Sequence, residues 1–220
     1  MGLREWWDET VVPRIIRFGC ATEAIMELRR EVVPLAAGRV FELGCGGGLN
    51  QAMYDRTQVT SFAGLDPSPK LLEYACAEAE GVAASGTQAD TADWKADIRA
   101  GFGEAIPFPD ASFDTVVCTY TLCSVNDQAG VLAELHRILK PGGTFLYLEH
   151  GRAPDANVAK WQRRIEPVWK RLFGNCHLTR PVSTAIAEAG FAVTLKGARY
   201  QEDAPRLAGW MEWGTAVKPV

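Results

Sequence analysis

The sequence predicts an α/β fold with a mostly parallel sheet, and two observations support that prediction. Short apolar runs alternate with segments of helical period along most of the chain, as in successive strand–helix–strand units. The last two apolar runs lie too close together for a crossover helix to join them, so we expect that pair to be antiparallel. The runs with the length of strands are 39–43, 60–65, about 96–100, 113–118, 143–149, 191–200 and 209–217.

Helices are predicted between and after these strands. In 127–139 apolar residues stand at positions 131, 132, 135, 138 and 139, which is a helical period. The "KPGG" at 140–143 ends this helix, because proline cannot continue it and glycine allows the turn. The small, polar residues of 80–95 predict a loop. The predicted helices are 68–79, 127–139, 156–173 and 180–189.

The composition fits one globular domain, 1–220, and excludes several classes of protein. The formal net charge is −4, so nucleic acid is not expected as a partner, since phosphate binding needs a basic face. No apolar run approaches the ~18 residues that span a bilayer. The six cysteines form no CxxC pair and no signal peptide is visible, which predicts reduced thiols and a cytoplasmic location.

A glycine-rich turn follows the first predicted strand. Gly44, Gly46 and Gly48 form G-x-G-x-G directly after "RVFEL". Glycine lets a backbone turn sharply and lets a ligand lie against the main chain. A dinucleotide fingerprint would place a small residue where this chain has Leu49, so the turn weakens the interpretation as a nicotinamide site.

Two carboxylates lie beside this turn in the predicted fold. Asp66 ends the second strand, where it can accept hydrogen bonds from ribose hydroxyls; the alternative is that it caps the helix starting near Pro67. Glu42 lies in the first strand, where a buried carboxylate needs partners. A ligand ammonium or the amides of the glycine turn would supply them, and the alternative is a solvent-facing edge position.

Four segments in this order resemble those of class I S-adenosylmethionine-dependent methyltransferases of the type 11 group: "VFELGCGGG", "GLDPSPKLLEYA", "GEAIPFPDASFDTVVC" and "LAELHRILKPGGTFLYLEH". The resemblance implies a Rossmann-like, doubly wound sheet of seven strands with an antiparallel last strand. It also implies S-adenosyl-L-methionine as the cofactor and S-adenosyl-L-homocysteine as its product.

A closer similarity extends this match. "VVCTYTLCSV", "LEH", "WQRRIEPVWKRLFGNCHLTR" and "WGTAVK" are similar to the methyltransferase-like family that includes the alkyl-thiol methyltransferases of animal membranes. The similarity runs from about residue 36 onward and leaves out the hydrophobic N-terminal anchor of that family. It implies a thiol as the methyl acceptor.

The resemblance implies a role for each matching position. Asp66 would hold the ribose hydroxyls, with Pro67 beside the adenine. Gly103 and Glu104 match the stretch that flanks the adenine, although this chain lacks the Asp that many methyltransferases carry near Phe102. The residues that would border the methionine part of the cofactor or the transferring methyl are Glu42, Gly44, Cys45, Gly46, Cys118 and Thr119.

Candidates for the acceptor side come from the histidines and cysteines. His150 ends the fifth strand, where parallel sheets place their sites. We expect it to act as a general base or to orient the acceptor; the alternative is a histidine satisfied by Glu149. Cys123 and His177 are the candidate substrate contacts, with the cysteine lining the site rather than acting as a nucleophile. The histidines have no H-x-x-H or H-x-x-x-H spacing, so no metal is expected.

The N-terminal segment 1–35 is predicted to form a helical lid. Apolar residues between 3 and 18 form a helix-like stripe interrupted by Pro13, and the simpler interpretation is a helix that covers the cofactor cleft. The alternative is a helix at a membrane interface, which tryptophans and arginines favour. Residues 152–180 carry seven Lys or Arg residues, either as a solvated helix face or as a membrane-facing surface.

Together these features predict an S-adenosylmethionine-dependent methyltransferase with a small, apolar acceptor, most simply a thiol. Methylation of a phospholipid amine, a quinone precursor or another small metabolite is the alternative within that class. A nicotinamide-dependent oxidoreductase and a non-catalytic cofactor-binding protein are the alternatives of other classes. The expected partners are a small-molecule substrate and, through a peripheral contact, a membrane surface.

Overall fold

The computed structural model describes residues 2, 6–84 and 96–220, and its centre is one seven-stranded sheet. The strands are β1 Gly38–Leu43, β2 Val59–Asp66, β3 Ala96–Ala100, β4 Phe113–Thr119, β5 Leu139–His150, β6 Ala192–Tyr200 and β7 Trp210–Val217. Their order is β3-β2-β1-β4-β5-β7-β6. β1 to β5 pair in parallel, whereas β7 lies antiparallel between β5 and β6. The predicted fold class and the antiparallel pair are confirmed.

Helices lie on both faces of the sheet. They are α1 Val12–Gly19, α2 Glu23–Val32, α3 Pro69–Ala84, α4 Gln128–Ile138, α5 Ala156–Leu172 and α6 Val182–Glu188, and a π-helical turn, Trp7–Val11, precedes the first of them. Because α3 extends to Ala84, the predicted loop 80–95 begins inside a helix, and its residues 85–95 lie outside the described residues. In the described part of the chain, no helix is long and apolar enough to cross a bilayer.

The core has two halves, one on each face of the sheet. On one face Phe41 packs with Leu135 of α4 and Ile186 of α6. On the other face Phe62 packs in a cluster that includes Leu28 of α2 and residues of α3. All five side chains are buried. Burial on both faces explains why the inner strands are continuous apolar runs rather than alternating ones.

β5 begins earlier than the predicted strand 143–149. Leu139 directly follows α4 and pairs with Phe113 of β4, so the "KPGG" segment ends the helix as predicted but lies inside the strand as an irregularity. Gly142 takes a φ of +75°, and its amide donates to the carbonyl of Lys218. The extra residues are tolerated because glycine adopts this backbone conformation at little cost.

The strand order reverses between β1 and β4. The chain moves outward from β1 to β3 and then returns to add β4 on the other side of β1. In open parallel sheets, ligands bind outside the carboxyl ends of the strands at such a switch point. The carboxyl ends of β1, β2 and β4 are therefore where a functional site is expected.

Candidate active site

A cavity of about 350 Å³ opens at this edge of the sheet. The glycine turn after β1, the end of β2 and the stretch 101–104 form one side of it. The turn after β4, helix α1 and residues 174–175 form the other side. The volume is that of a small-molecule or cofactor site.

Two glycines of the turn have different tasks. Gly44 has a φ of +68°, and a Cβ there would overlap the side chain of Thr121, so this glycine permits close packing inside the protein. Gly46 has a φ of +48°, but the protein atoms nearest to a Cβ there would be Gly44 O at 3.6 Å and Asp66 Oδ2 at 3.8 Å. Gly46 therefore presents bare main chain to the cavity, where a ligand can approach closely.

Asp66 keeps half of its hydrogen-bonding capacity for a ligand. Its Oδ2 accepts the Gly46 N–H at 3.0 Å and its Oδ1 accepts the Ser68 N–H at 2.8 Å. An ionised carboxylate can accept about four hydrogen bonds, so roughly two sites remain on a side chain that lines the cavity. Burial raises the pKa of this carboxyl, while the two amide bonds oppose the shift. The arrangement suits a pair of ribose hydroxyls. The bond from the Ser68 N–H is the one expected if Asp66 also caps the helix that follows it.

Glu42 is buried and its hydrogen-bond partners are side chains rather than the amides of the glycine turn. Its Oε1 accepts from Asn50 Nδ2 at 2.7 Å and its Oε2 accepts from the Tyr54 hydroxyl at 2.8 Å. Burial raises its pKa to about 7. The carboxyl also lines the cavity, so a ligand ammonium beside it would favour the ionised form.

Arg29 of α2 brings a positive charge into the same wall. Only 4% of the residue is exposed, and its Nη1 donates to Asn50 Oδ1 at 2.7 Å and to Thr119 Oγ1 at 2.6 Å. Its Nε is buried and has no hydrogen-bond partner among the described residues. A buried guanidinium with neutral partners is costly unless an anion completes it, and Arg29 lines the cavity where one could bind.

Sequence reasoning did not identify Arg29 or Asn50. A signal for Arg29 was nevertheless present, because it follows Ile25 by four residues and precedes Val33 by four, on the apolar side of a helix. A charged residue at such a position needs a partner or a ligand. Asn50 stands two residues after Gly48, in a polar turn where no local pattern distinguishes it.

At the other end of the cavity, the wall includes the predicted adenine-flanking residues Pro67, Gly103 and Glu104. The Glu104 carboxylate accepts the backbone N–H groups of Asn126 at 2.9 Å and Asp127 at 3.2 Å. It thereby fixes the loop before α4. Glu104 therefore has a structural role as well as a position in the cavity wall.

The Glu149 carboxylate stabilises the turn after β4 by hydrogen bonds to its backbone. This fully buried carboxylate accepts the N–H groups of Thr121 at 2.7 Å and Leu122 at 2.9 Å, and burial raises its pKa to about 7. The Cys118 thiol lies 3.4 Å from the same oxygen. Thr119 lines the cavity, whereas Cys118 is buried behind its wall.

His150 and Cys123 also lie outside the residues that line the cavity. The His150 ring is buried, and its Nε2 lies 3.0 Å from the Sγ of Cys176. Glu149 binds backbone amides instead, so it does not satisfy this histidine in the way that the sequence alternative expected. Although the sequence predicts no metal site, the structure brings Cys123, His150 and Cys176 together as a set of metal-ligating side chains.

His177 follows Cys176 of this cluster in the chain, and its backbone N–H donates to the carbonyl of Cys123 at 2.8 Å. Its Nδ1 is 3.3 Å from Glu166 Oε1, and burial lowers its pKa while the carboxylate opposes the shift. Arg180 donates to the carbonyls of Leu122 and Val125. His177 therefore stands beside a carboxylate of α5, outside the cavity lining, and Arg180 braces the loop after β4.

The N-terminal helix α1 contributes side chains to the cavity wall. Val12, Pro13, Ile16 and Cys20 line the cavity together with Arg17. The Arg17 guanidinium lies 4.0 Å from the centre of the Tyr74 ring and 3.8 Å from Glu78, both on α3. The helix thus connects the glycine-turn side of the cavity with the side formed by residues 174–175.

The fold and the site together define a class of protein. The sheet has the dinucleotide-binding order 3-2-1-4-5-6 with the antiparallel strand β7 inserted between β5 and β6, and the cavity joins bare glycine main chain to the acidic residue that ends β2. A family model described as "Methyltransferase domain" matches residues 41–147. Over these residues the chain is similar to S-adenosylmethionine-dependent methyltransferases. This similarity favours adenosylmethionine over the nicotinamide alternative.

Named relatives point in the same direction. The chain is 36% identical over 156 residues to the thiol S-methyltransferase TMT1B of Rattus norvegicus, covering 70% of this chain and 59% of the relative. It is 31% identical over 172 residues to the thiol S-methyltransferase TMT1A of Homo sapiens, covering 77% and 66%. It is also 31% identical over 148 residues to the demethylmenaquinone methyltransferase of Thermus thermophilus, covering 64% and 60%. The chain thus spans 59–66% of the length of these relatives.

The solved structures share the fold. The crystal structure of the YcgJ protein from Bacillus subtilis matches with a TM-score of 0.69 at 17% sequence identity, covering 89% of this chain and 98% of that one. At this identity the likeness supports the architecture of the sheet and helices alone.

Proposed function

We propose that this protein transfers a methyl group from S-adenosylmethionine to a small, apolar thiol. The observation that carries the proposal is the charge pattern of one cavity wall. Glu42 and Arg29 are both buried there, joined through Asn50, and Asp66 lies at the neighbouring strand end. An acid and a base side by side complement a zwitterionic amino acid, and a carboxylate with unused lone pairs complements a ribose.

These residues divide the cofactor between them. Asp66 binds the ribose hydroxyls, Glu42 the ammonium and Arg29 the carboxylate of the methionine part. The main chain of Gly44, Cys45 and Gly46 lies against the same part of the ligand. The remaining contacts are assigned to Thr119 at the methionine end and to Pro67, Gly103 and Glu104 around the adenine.

The acceptor side of the cavity is more apolar. Its lining includes Val12, Pro13 and Ile16 of the N-terminal segment together with Tyr120 and Val125, which suits an apolar acceptor better than a charged one. When bound, the cofactor supplies a methyl on a positively charged sulfur, which an acceptor thiolate attacks to leave adenosylhomocysteine and a methyl thioether. The protein aligns the two reactants and keeps water out. The relatives named as thiol S-methyltransferases support this acceptor class.

The roles of His150 as a general base and of Cys123 and His177 as acceptor contacts stay predictions. Their side chains lie outside the cavity lining, so a direct role requires the loop after β4 to move. His150→Gln tests the base: loss of one ionisation from the pH profile of the turnover number, with an unchanged Kd for adenosylhomocysteine, supports it. Unchanged turnover across the pH range refutes it.

Residues 1–35 act in this proposal as a lid on a single domain, 1–220. Ile16→Ser, which alters a lining side chain of α1, is expected to raise the KM for alkyl thiols with little effect on cofactor affinity. Phe18→Ser is the matched control, because Phe18 is on the same helix, is 82% exposed and does not line the cavity. Equal effects of both variants on KM would refute the lid.

The acceptor is tested with labelled methyl donor and a panel of alkyl thiols, amines, phenols, quinone precursors and phospholipids. Preferential labelling of thiols is expected. Preferential labelling of a quinone precursor would move the assignment to the alternative that the demethylmenaquinone methyltransferase represents. Tight cofactor binding without labelling of any acceptor would identify a binding protein instead.

A cytoplasmic location with peripheral membrane contact completes the proposal. Trp6 and Phe18 near the N-terminus are exposed, as are Trp161, Val168 and Leu172 of α5. The two segments are in contact, because the Trp7 indole donates to the carbonyl of Leu172 at 3.3 Å. Tryptophan and basic residues on one surface favour the headgroup region of an anionic membrane.

A further inference from the structure

Two cysteines and one histidine behind the cavity wall form a compact, buried cluster. Cys123 lies in the loop after β4, His150 ends β5 and Cys176 follows α5. The Sγ of Cys176 is 3.0 Å from His150 Nε2, and the three ligating atoms lie within 4.8 Å of one another. No member of the cluster is more than 9% exposed.

The surroundings of the cluster suit sulfur in its thiolate form. The Trp169 indole N–H donates to Cys176 Sγ at 3.2 Å, and the Ser124 hydroxyl lies 3.4 Å from Cys123 Sγ. The His150 ring presents Nε2 to the Cys176 thiol, and in the neutral ring this nitrogen can bind a metal. Nδ1, which is buried and has no hydrogen-bond partner among the described residues, would then carry the ring proton.

The donor atoms identify the class of ligand. Thiolate sulfur and imidazole nitrogen bind Zn²⁺ and related transition metals, whereas Mg²⁺ and Ca²⁺ require oxygen. In a tetrahedral site with Zn–S near 2.3 Å and Zn–N near 2.0–2.1 Å, the ligand atoms lie roughly 3.5–3.8 Å apart. The cluster reaches this geometry by shifts of about 1 Å. Two thiolates also balance the charge of a divalent ion, so the buried site is neutral.

We propose that Cys123, His150 and Cys176 bind a zinc ion that ties together the loops on the acceptor side of the cavity. Binding releases one proton from each thiol to solvent, and a water molecule completes the fourth position. Ser124 and Asn175, the chain neighbours of the two cysteines, line the cavity. The ion therefore sets the position of the cavity wall and takes no part in methyl transfer.

Metal titration of the reduced chain of residues 1–220 under anaerobic conditions tests the proposal. The metal-free protein is expected to bind equimolar Zn²⁺ and to unfold at a higher temperature once it is bound. Co²⁺ is expected to produce a thiolate-to-metal charge-transfer absorption that Zn²⁺ abolishes. Absence of equimolar Zn²⁺ binding, or of the cobalt absorption, would overturn the proposal without any variant.

Single substitutions locate the site. Cys123→Ser and Cys176→Ser are each expected to lose equimolar Zn²⁺ binding and the rise in unfolding temperature. Cys76→Ser is the control, because Cys76 is an exposed thiol outside the cluster, and it is expected to keep both. Circular dichroism shows whether each variant is folded. If a variant is unfolded, the metal titration of the wild type alone decides whether the proposal holds. Folded cluster variants that retain equimolar Zn²⁺, or a Cys123–Cys176 disulfide formed in place of metal binding in the wild type, would show the proposal to be wrong.

Discussion

Replacing Asp66 with alanine is expected to weaken binding of adenosylhomocysteine about 100-fold. Each carboxylate oxygen accepts one hydrogen bond from the backbone, from Gly46 or from Ser68. About one acceptor position per oxygen is therefore left for the two ribose hydroxyls. A hydrogen bond to a charged group is worth about 1.5–3 kcal/mol. Two at the lower value give about 3 kcal/mol, which is roughly 100-fold in Kd.

Isothermal titration calorimetry with adenosylhomocysteine measures this loss. Because Asp66→Ala also frees two backbone amides, the control is Asp127→Ala, which removes the carboxylate that accepts the Gly130 N–H at the start of α4 but does not line the cavity. A 2′-deoxy analogue of adenosylhomocysteine completes a thermodynamic cycle. The analogue should bind the wild type more weakly than adenosylhomocysteine does, and Asp66→Ala should weaken its binding little further. A folded Asp66→Ala protein with a Kd within about threefold of wild type would refute the ribose assignment.

Three further predictions follow from the same wall and from the surface near α1. Gly46→Ala is expected to weaken cofactor binding at least tenfold with a modest loss of stability, whereas Gly44→Ala should mainly lower the unfolding temperature. Calorimetry and thermal melts that find the larger loss of affinity in Gly44→Ala and the larger loss of stability in Gly46→Ala would contradict these different tasks. The folded pKa of Glu42, about 7, lies above the ordinary 4.5, so the folded chain holds the proton and the stability of the ligand-free protein should fall as pH rises through that window. Affinity for the ligand ammonium should instead rise about tenfold per pH unit up to 7 and level off above it. Glu42→Gln should abolish this affinity trend but only weaken the stability trend, because the buried Glu149 carboxyl, whose pKa is also raised to about 7, titrates in the same window. Calorimetry that finds a flat affinity profile in the wild type would exclude the assignment. Trp6→Ser with Phe18→Ser should reduce co-sedimentation with anionic vesicles, and wild-type protein that fails to sediment with them would exclude membrane contact.

Sequence reasoning succeeded where the causes are local. The glycine turn, Asp66 and the strands around them depend on neighbours in the chain, so their positions follow from residue type and spacing. Asp66 even shows both predicted functions at once, because its capping bond to Ser68 leaves lone pairs for a ligand. The resemblance to a known family then supplied the doubly wound sheet of seven strands.

The parts that sequence reasoning missed depend on distant contacts. Arg29 reaches Thr119 across 90 positions, and the cysteine–histidine contact spans 26; no spacing motif marks either pair. His150 was predicted to face the acceptor because it ends a strand at the correct edge. In the structure its side chain lies outside the cavity lining, next to the Cys176 thiol of the loop after α5, and its role in the reaction stays a prediction.

The position of β7 has a consequence for how the protein is made. This strand pairs with β5 on one side and with β6 on the other, although it is synthesised after both. While residues 210–217 are still inside the ribosome, the nascent chain exposes an unpaired edge on β5 and has no partner for β6. The sheet therefore closes late, and a growing polypeptide has a period in which protection by a chaperone matters most.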